Sequence, residues 1–181
     1  MPSSTLITGG ARSGKSSFAL SLGLKNYSKR AFIATALPFD QEMKERISQH
    51  REERDDQFRT IEEPIALSRA LTALPGGTEV GIVDCLTVWL GNLYHHFQYE
   101  EEKVSLQVDA FLEHLDHPVC DLILVTNEVG WGIVPENPMA RSFRDRAGYL
   151  NRSVARKATH VYLLCCGIPL ALKGDLLRGQ T

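Results

Sequence analysis

A glycine-rich segment near the amino terminus constrains this chain more than any other part of its sequence. Residues 6–16 read Leu-Ile-Thr-Gly-Gly-Ala-Arg-Ser-Gly-Lys-Ser, and Gly9, Gly14, Lys15 and Ser16 fit the phosphate-binding pattern G-x-x-x-x-G-K-[ST] at full spacing. Glycines let backbone N–H groups close around phosphate oxygens, and the N-terminus of a following helix adds positive partial charge. The segment therefore predicts a strand, a phosphate-binding loop and a helix, which we expect to end near Gly23.

Three side chains in and after this loop have expected roles in phosphate and metal binding. Lys15 is expected to reach the β- and γ-phosphates, and the Ser16 hydroxyl to bind the Mg²⁺ ion that bridges them. Asp84 follows the apolar run that starts at Glu79, where nucleotide-binding folds of this type place a second carboxylate linked to Mg²⁺. We therefore predict Ser16 and Asp84 as metal ligands.

Strand-like and helix-like patterns alternate along the whole chain, which predicts an α/β fold with a mostly parallel sheet and helices on both faces. Ligands bind beyond the carboxyl ends of such strands, so we expect the phosphate loop, Thr35, Asp84 and residues 126–128 to converge at one edge. We predict one domain over residues 1–181. The tail from Gly167 contains further glycines and Pro169, and is expected to be loosely held, above all after about residue 173.

A charged segment between residues 40 and 54 is expected to form a helix capped by Asp40. Met43, Ile47, His50 and Arg54 fall at intervals of four, three and four, so they share the face that turns toward the protein. A histidine on such a face is usually a packed core residue. A neutral imidazole is also a suitable nucleophile near pH 7, so the pattern alone leaves both readings of His50 open.

Composition limits the function classes. The chain has 181 residues with a formal net charge of -2, which gives no general nucleic-acid footprint. The amino terminus lacks the build of a signal peptide, and no apolar run approaches the ~20 residues of a membrane span. We therefore expect a cytoplasmic protein with no nucleic-acid partner and no stable membrane insertion. The four cysteines, Cys85, Cys120, Cys165 and Cys166, are expected to be buried and reduced.

Several further stretches resemble the bifunctional adenosylcobinamide kinase/adenosylcobinamide-phosphate guanylyltransferase family. The resemblance covers nearly the whole chain up to about Lys173. Its most specific pieces are Val-Thr-Asn-Glu-Val-Gly at residues 125–130 and Arg46-Ile47 followed by His50-Arg51. The other matching pieces are the phosphate loop, Ile33-Ala34-Thr35-Ala36, Thr60 with Glu62-Glu63-Pro64, and Val83-Asp84-Cys85-Leu86-Thr87 with Trp89-Leu90.

The resemblance implies a RecA-like P-loop NTPase that assembles as a homotrimer and catalyses two reactions. In the first, ATP or GTP phosphorylates the aminopropanol hydroxyl of adenosylcobinamide. In the second, GTP gives GMP to adenosylcobinamide phosphate, with release of pyrophosphate, through a GMP–histidine intermediate. The motif assigns this histidine to His50.

The resemblance also implies a set of nucleotide contacts. These are Gly9, Gly10, Ala11, Arg12, Ser13, Gly14, Lys15, Ser16, Ala34, Thr35, Ala36, Arg51, Glu52, Glu53, Arg54, Glu62 and Asp84. Glu128 is a third candidate catalytic residue beside His50 and Lys15. Its carboxylate is placed either to accept a hydroxyl proton or orient Mg²⁺, or to cap loop backbone amides. Two residues depart from the family pattern. Gln49 stands where some members have a second histidine, and Phe58 stands where tryptophan is usual.

Two other functions remain open at this point. One is a P-loop small-molecule kinase without guanylyl transfer, and the other is a nucleotide-dependent switch or motor subunit. Guanylyl transfer also poses a geometric question, because a phosphate loop presents the γ-phosphorus whereas the nucleophile attacks the α-phosphorus. We hypothesise that the helix carrying His50 moves relative to the sheet.

Overall fold

The computed structural model describes residues 2–175, apart from the side chains of Glu42, Arg46, His50, Glu53 and Asp55. The strands are β1 (Ser4–Gly9), β2 (Arg30–Ala34), β3 (Arg59–Glu62), β4 (Val80–Asp84), β5 (Asp121–Val125), β6 (His160–Cys165) and β7 (Ile168–Lys173). The α-helices are α1 (Lys15–Asn26), α2 (Gln41–Arg54), α3 (Leu67–Thr72), α4 (Leu86–His96), α5 (Glu101–His114) and α6 (Pro138–Lys157). A 3₁₀ turn, Asp55–Gln57, follows α2.

The seven strands form one sheet in the order β3-β2-β4-β5-β1-β6-β7. Every neighbouring pair is parallel except β6 and β7, which are antiparallel. The predicted mostly parallel α/β sheet is therefore confirmed. Strand β1 lies between β5 and β6, so the phosphate loop at its carboxyl end emerges well inside the sheet.

Alternation along the strands produces a core on each face of the sheet, because successive side chains of a strand point to opposite faces. Leu6 and Val83 belong to the core under α3, α4, α5 and α6. Their neighbours Ile7 and Ile82 belong to the other core, which α1 covers. Both faces are buried, which explains why these strands read as continuous apolar runs.

Helix α1 ends at Asn26, three residues past Gly23, so the predicted stop near this glycine is right only to within one turn. A Cβ on Gly23 would lie 3.1 Å from both Ile82 Cδ1 and Phe58 Cε1. Gly23 therefore serves close packing between the helix and the sheet rather than helix termination. The prediction for the next helix is confirmed, because the Met43 N–H donates a 2.7 Å hydrogen bond to Asp40 Oδ1 at the start of α2.

The carboxyl-terminal part of the chain is more ordered than the sequence predicts. The expectation of a loose tail from Gly167 is wrong for residues 168–173, which form β7 and pair with β6. The part of the predicted tail at residues 176–181 lies outside the described residues. The cysteine prediction is half right, since all four are free but only Cys85 and Cys120 are buried, whereas Cys165 and Cys166 are exposed.

Among residues 2–175, no helix has both the length and the apolar character needed to cross a membrane.

Candidate active site

The phosphate loop joins β1 to α1 in a conformation that requires glycine at two positions. Gly9 has φ +151° and Gly14 has φ +91°. A Cβ on Gly9 would lie 2.5 Å from the carbonyl oxygen of Leu164, and one on Gly14 would lie 3.3 Å from Gly167 Cα. Both glycines therefore let the loop pack directly on the end of β6 and on the turn that follows it.

Lys15 lies inside this loop. It is 7% exposed, and its Nζ donates hydrogen bonds to the Gly10 carbonyl oxygen at 2.5 Å and to Ser13 Oγ at 3.3 Å. Burial lowers the pKa of Lys15 below its usual value, and the nearby Asp84 carboxylate opposes that shift. The Lys15 ammonium group is thus hydrogen-bonded to a carbonyl oxygen of the loop. A phosphate oxygen that enters the loop can replace this carbonyl oxygen as the partner of Lys15.

A cavity of about 720 Å³ opens beside the loop. It is bounded by the loop, by the ends of β2, β4 and β5, and by α2. Its lining includes Ala11, Arg12, Ser13, Gly14, Lys15, Ser16, Ala34, Ala36, Met43, Ile47, Arg51, Arg54, Glu62, Asp84 and Asn127. The structure therefore brings most of the predicted nucleotide contacts together at the carboxyl edge of the sheet.

Helix α2 faces this cavity. Met43, Ile47 and Arg54, three of the four residues on the predicted face, line it, and Arg54 is buried with its guanidinium 4.0 Å from the centre of the Phe32 ring. The side chain of the fourth residue, His50, lies outside the described part of the structure. The role predicted for His50 from the sequence therefore remains a prediction.

The far side of the cavity is formed by α2 and β3. Arg51 makes an ion pair with Glu62, and both side chains are more than half exposed. Glu52 is exposed on the same helix, and the side chain of Glu53 lies outside the described residues. Arg51 and Glu62 therefore stand together on the exposed α2–β3 side of the cavity, a basic and an acidic group paired with each other.

Thr35 lies between two cavity-lining alanines, but its own side chain points elsewhere. It is fully buried, and its Oγ1 donates to the Cys85 carbonyl oxygen at 2.9 Å and accepts from the Cys85 N–H at 2.8 Å. Asn92 Nδ2 donates to the Thr35 carbonyl oxygen at 2.7 Å. The hydroxyl of Thr35 thus connects the end of β2 to the end of β4, immediately after Asp84.

Glu128 is held at the carboxyl end of β1. Its backbone N–H donates to the Gly9 carbonyl oxygen at 3.1 Å. Its Oε1 accepts hydrogen bonds from Thr8 Oγ1 at 2.7 Å and from Asn151 Nδ2 at 3.3 Å. Among the described residues these donors are side chains rather than loop backbone amides, which favours an oriented carboxylate over an amide cap.

Asn151 is a site residue that sequence reasoning missed. It is buried on α6, and its Oδ1 accepts from Thr126 Oγ1 at 2.7 Å while its Nδ2 also donates to the Asn127 carbonyl oxygen at 3.1 Å. The available signal was a polar residue between Leu150 and Val154 on the apolar face of a long helix. Lys44 was also missed; it lines the cavity from α2.

Comparison with known proteins gives matches over nearly the whole chain. The family model described as "Cobinamide kinase / cobinamide phosphate guanyltransferase" matches residues 5–172. The chain is 39% identical to the bifunctional adenosylcobalamin biosynthesis protein CobP of Pseudomonas aeruginosa, over 95% of this chain and 98% of that protein. It is 36% identical to the protein CobU of Escherichia coli, described in the same words, over 93% of this chain and 98% of that protein.

Solved structures with low sequence identity share the fold. An ATPase of a bacterial type III secretion system superposes with a TM-score of 0.58 at 11% identity, over 90% of this chain and 51% of that one. The RadB recombinase superposes with a TM-score of 0.50 at 16% identity, over 89% of this chain and 73% of that one. These similarities confirm the P-loop NTPase, RecA-like fold class. With the family match over nearly its full length, the chain belongs to the cobinamide kinase/cobinamide phosphate guanyltransferase family.

Proposed function

We propose that this chain catalyses two successive transfers. ATP or GTP first phosphorylates the aminopropanol hydroxyl of adenosylcobinamide, and GTP then transfers GMP to adenosylcobinamide phosphate, giving adenosyl-GDP-cobinamide and pyrophosphate. The observation that carries the proposal is that one cavity is bounded both by the phosphate loop with Lys15 and by helix α2, to which His50 belongs. The bifunctional descriptions of two relatives matched over nearly their full length also support it.

The nucleotide is held by backbone N–H groups of the phosphate loop, by the Lys15 ammonium and by Arg12, which lies in the loop with φ +54° and lines the cavity. Ser16 and Asp84 fit a Mg²⁺ site, because both line the same cavity and offer the oxygen ligands that Mg²⁺ takes together with phosphate oxygens. When bound there, the ion would offset charge on the β- and γ-phosphates.

In the kinase step, we propose that Glu128 accepts the proton of the substrate hydroxyl. The hydroxyl oxygen forms a bond to the γ-phosphorus as the bond from that phosphorus to the β-phosphate oxygen breaks. Supporting this role, Thr8 and Asn151 hold the Glu128 carboxylate beside the end of β1. The Lys15 ammonium is placed to neutralise charge on the departing diphosphate.

In the guanylyl step, we propose that an imidazole nitrogen of His50 attacks the α-phosphorus of GTP. The bond from that phosphorus to the β-phosphate oxygen breaks, and pyrophosphate leaves. A phosphate oxygen of adenosylcobinamide phosphate then attacks the same phosphorus, the P–N bond breaks, and the imidazole is released. Arg51 and Arg54 line the cavity one and four positions after His50, where their guanidinium groups can bind phosphate oxygens.

The two steps attack different phosphorus atoms, so we propose that α2 moves relative to the sheet between them. The support is that Arg51 on α2 is joined to Glu62 on β3 by an exposed ion pair, a type of contact that contributes little free energy. Arg54, which is buried on the Phe32 ring, is the last residue of the helix and can stay in place while the rest of α2 moves. A chemical crosslink that fixes α2 to β3 should then abolish guanylylation. Unchanged guanylylation in the crosslinked protein would refute the movement.

The decisive experiment uses GTP labelled at the α-phosphate. After incubation and denaturation, the wild-type chain should retain label through an acid-labile, alkali-stable bond, and His50→Ala should retain none. His117→Ala is the matched control, because His117 is an exposed histidine at the carboxyl-terminal side of α5. Retention of label by His50→Ala would refute the assignment.

Neither alternative function predicts retained label, and turnover of the corrinoid separates one alternative from the other. A kinase without guanylyl transfer would phosphorylate adenosylcobinamide and retain no label, whereas a switch or motor subunit would hydrolyse nucleotide and turn over no corrinoid. The homotrimer and the cytoplasmic location stay proposals that rest on family membership. Light scattering of the purified chain tests the first.

A further inference from the structure

Cys165 and Cys166 are two accessible thiols that are adjacent in the chain, and neither has a role in the proposed reactions. Cys165 is the last residue of β6, and Cys166 begins the turn that leads into β7. Both are exposed and free. Interaction with the neighbouring Cys166 thiol raises the pKa of Cys165.

The turn that carries these thiols supports the phosphate loop from behind. The Gly167 N–H donates a 3.1 Å hydrogen bond to the Ser13 carbonyl oxygen, and a Cβ on Gly14 would lie 3.3 Å from Gly167 Cα. Cys166 has φ +50° and Gly167 has φ +80°, so both residues of the turn are in the left-handed region. A change of backbone torsion at Cys166 therefore moves the N–H group that supports Ser13.

We propose that Cys165 and Cys166 form a paired-thiol site that binds one soft, thiophilic centre with two open positions, such as trivalent arsenic bearing one organic group, and that its occupation weakens nucleotide binding. With an aryl arsenoxide, two As–S bonds form and the As–O bond breaks. The oxygen leaves as water with the two thiol protons, and the arsenic stays trivalent. This condensation needs no oxidant.

Binding of both sulfurs to one atom closes a ring that includes the peptide between Cys165 and Cys166. The ring constrains torsions that are free to adjust in the reduced pair. Since the next residue is Gly167, we expect the hydrogen bond to Ser13 to weaken or break. The loss of one such hydrogen bond corresponds to about a fivefold weaker affinity for GTP.

The experiment treats the reduced full-length chain with phenylarsine oxide and measures both intact mass and the affinity for a fluorescent GTP analogue. We expect one phenylarsenic group per chain, removal of that group by 2,3-dimercaptopropanol but not by a monothiol, and a fall in affinity of about fivefold. Cys165→Ser and Cys166→Ser should each prevent the adduct and keep the untreated affinity. Cys120→Ser, at a buried thiol, should still form it.

Two results would overturn the proposal. An adduct that persists in both single variants would place the site on other thiols. A complete adduct with unchanged GTP affinity would refute the connection to the phosphate loop. The mass measurement needs no catalysis, so it stands whether or not the proposed two-step reaction is correct.

Discussion

Thr8 Oγ1 donates a 2.7 Å hydrogen bond to Glu128 Oε1. This bond joins the end of β1, just before the phosphate loop, to the segment that follows β5. The carboxylate is thus fixed beside the carboxyl end of β1, where the phosphate loop begins. If Glu128 is a proton acceptor, loss of its basicity should slow the reaction. If its role is structural alone, the same change should have little effect on the reaction.

Glu128→Gln preserves the shape of the side chain and its contacts with Thr8 and Asn151 but removes its basicity. We expect kcat of the kinase step to fall by about 10²–10⁴-fold, which is the usual contribution of a general base. The affinity for GTP should change little. Steady-state kinetics with adenosylcobinamide measures kcat. Glu136→Gln, at an exposed carboxylate on the same loop, should leave kcat unchanged. Full activity of Glu128→Gln would exclude the proton-acceptor role.

Gly9→Ala should destabilise the fold. The new methyl group would lie 2.5 Å from the Leu164 carbonyl oxygen, so the free energy of unfolding should fall by about 1–3 kcal/mol. Urea unfolding without nucleotide measures this. Gly10→Ala is the control, because among the described residues no atom beyond its chain neighbours lies within 4 Å of its added Cβ, and its effect should stay within about 0.5 kcal/mol. Equal effects of the two substitutions would contradict the proposed contact.

GTP affinity should fall as pH rises through the lowered pKa of Lys15, because the triphosphate binds the charged ammonium and burial favours the neutral amine. The contribution of Lys15 to the free energy of unfolding changes with pH in the opposite direction. Between the lowered pKa and the usual value of 10.5, the unfolded chain binds more protons at Lys15 than the folded chain, so this residue's contribution to stability increases with pH.

Calorimetric titration of GTP between pH 7 and the alkaline limit of stability measures the affinity. Lys15→Arg should bind GTP with a smaller dependence on pH, because arginine keeps its charge. The same dependence in wild type and variant would assign the effect to another group.

Thr35→Val should destabilise the fold because it removes the hydroxyl oxygen that accepts from the Cys85 N–H, whereas the Cys85 carbonyl oxygen keeps its hydrogen bond from the Trp89 N–H. A buried N–H group left unpaired costs about 1–3 kcal/mol. Chemical denaturation measures the loss. Thr60→Val on β3 is the control, since Thr60 is an exposed strand residue and valine is favoured in strands. A loss in Thr35→Val no larger than in this control would contradict the assignment.

The sequence was sufficient for the elements that bury both faces or carry a complete motif. Apolar runs such as the one from Leu122 predict central strands, and the glycine pattern at Gly9 and Gly14 predicts the phosphate loop. Strand β3 was missed because Arg59 and Thr60 are exposed at the sheet edge and show no apolar alternation. Strand β7 was missed because its apolar residue Ile168 remains exposed and its pairing with β6 is a long-range property of the chain.

The predicted parallel strands were enough to place the site residues at one edge of the sheet. They were not enough to predict the direction in which each side chain points. Thr35 and Ala36 are adjacent in sequence, yet of the two only Ala36 lines the cavity, because the Thr35 hydroxyl bonds to Cys85 just after the neighbouring strand β4. Asn151 reaches Glu128 from a helix more than twenty residues later. No local pattern specifies that contact, which depends on how α6 crosses the sheet.

The ladder between β1 and β5 continues beyond the strands, with Thr126 N–H bonded to the Ile7 carbonyl oxygen and Glu128 N–H to that of Gly9. Insertions and deletions during evolution are therefore tolerated unequally along this chain. A residue inserted in the connection before β5 leaves the spacing between Glu128 and the phosphate loop unchanged. A residue gained within β5 turns Glu128 to the opposite side of the sheet, so length variation among homologues should avoid the segment from 121 to 128.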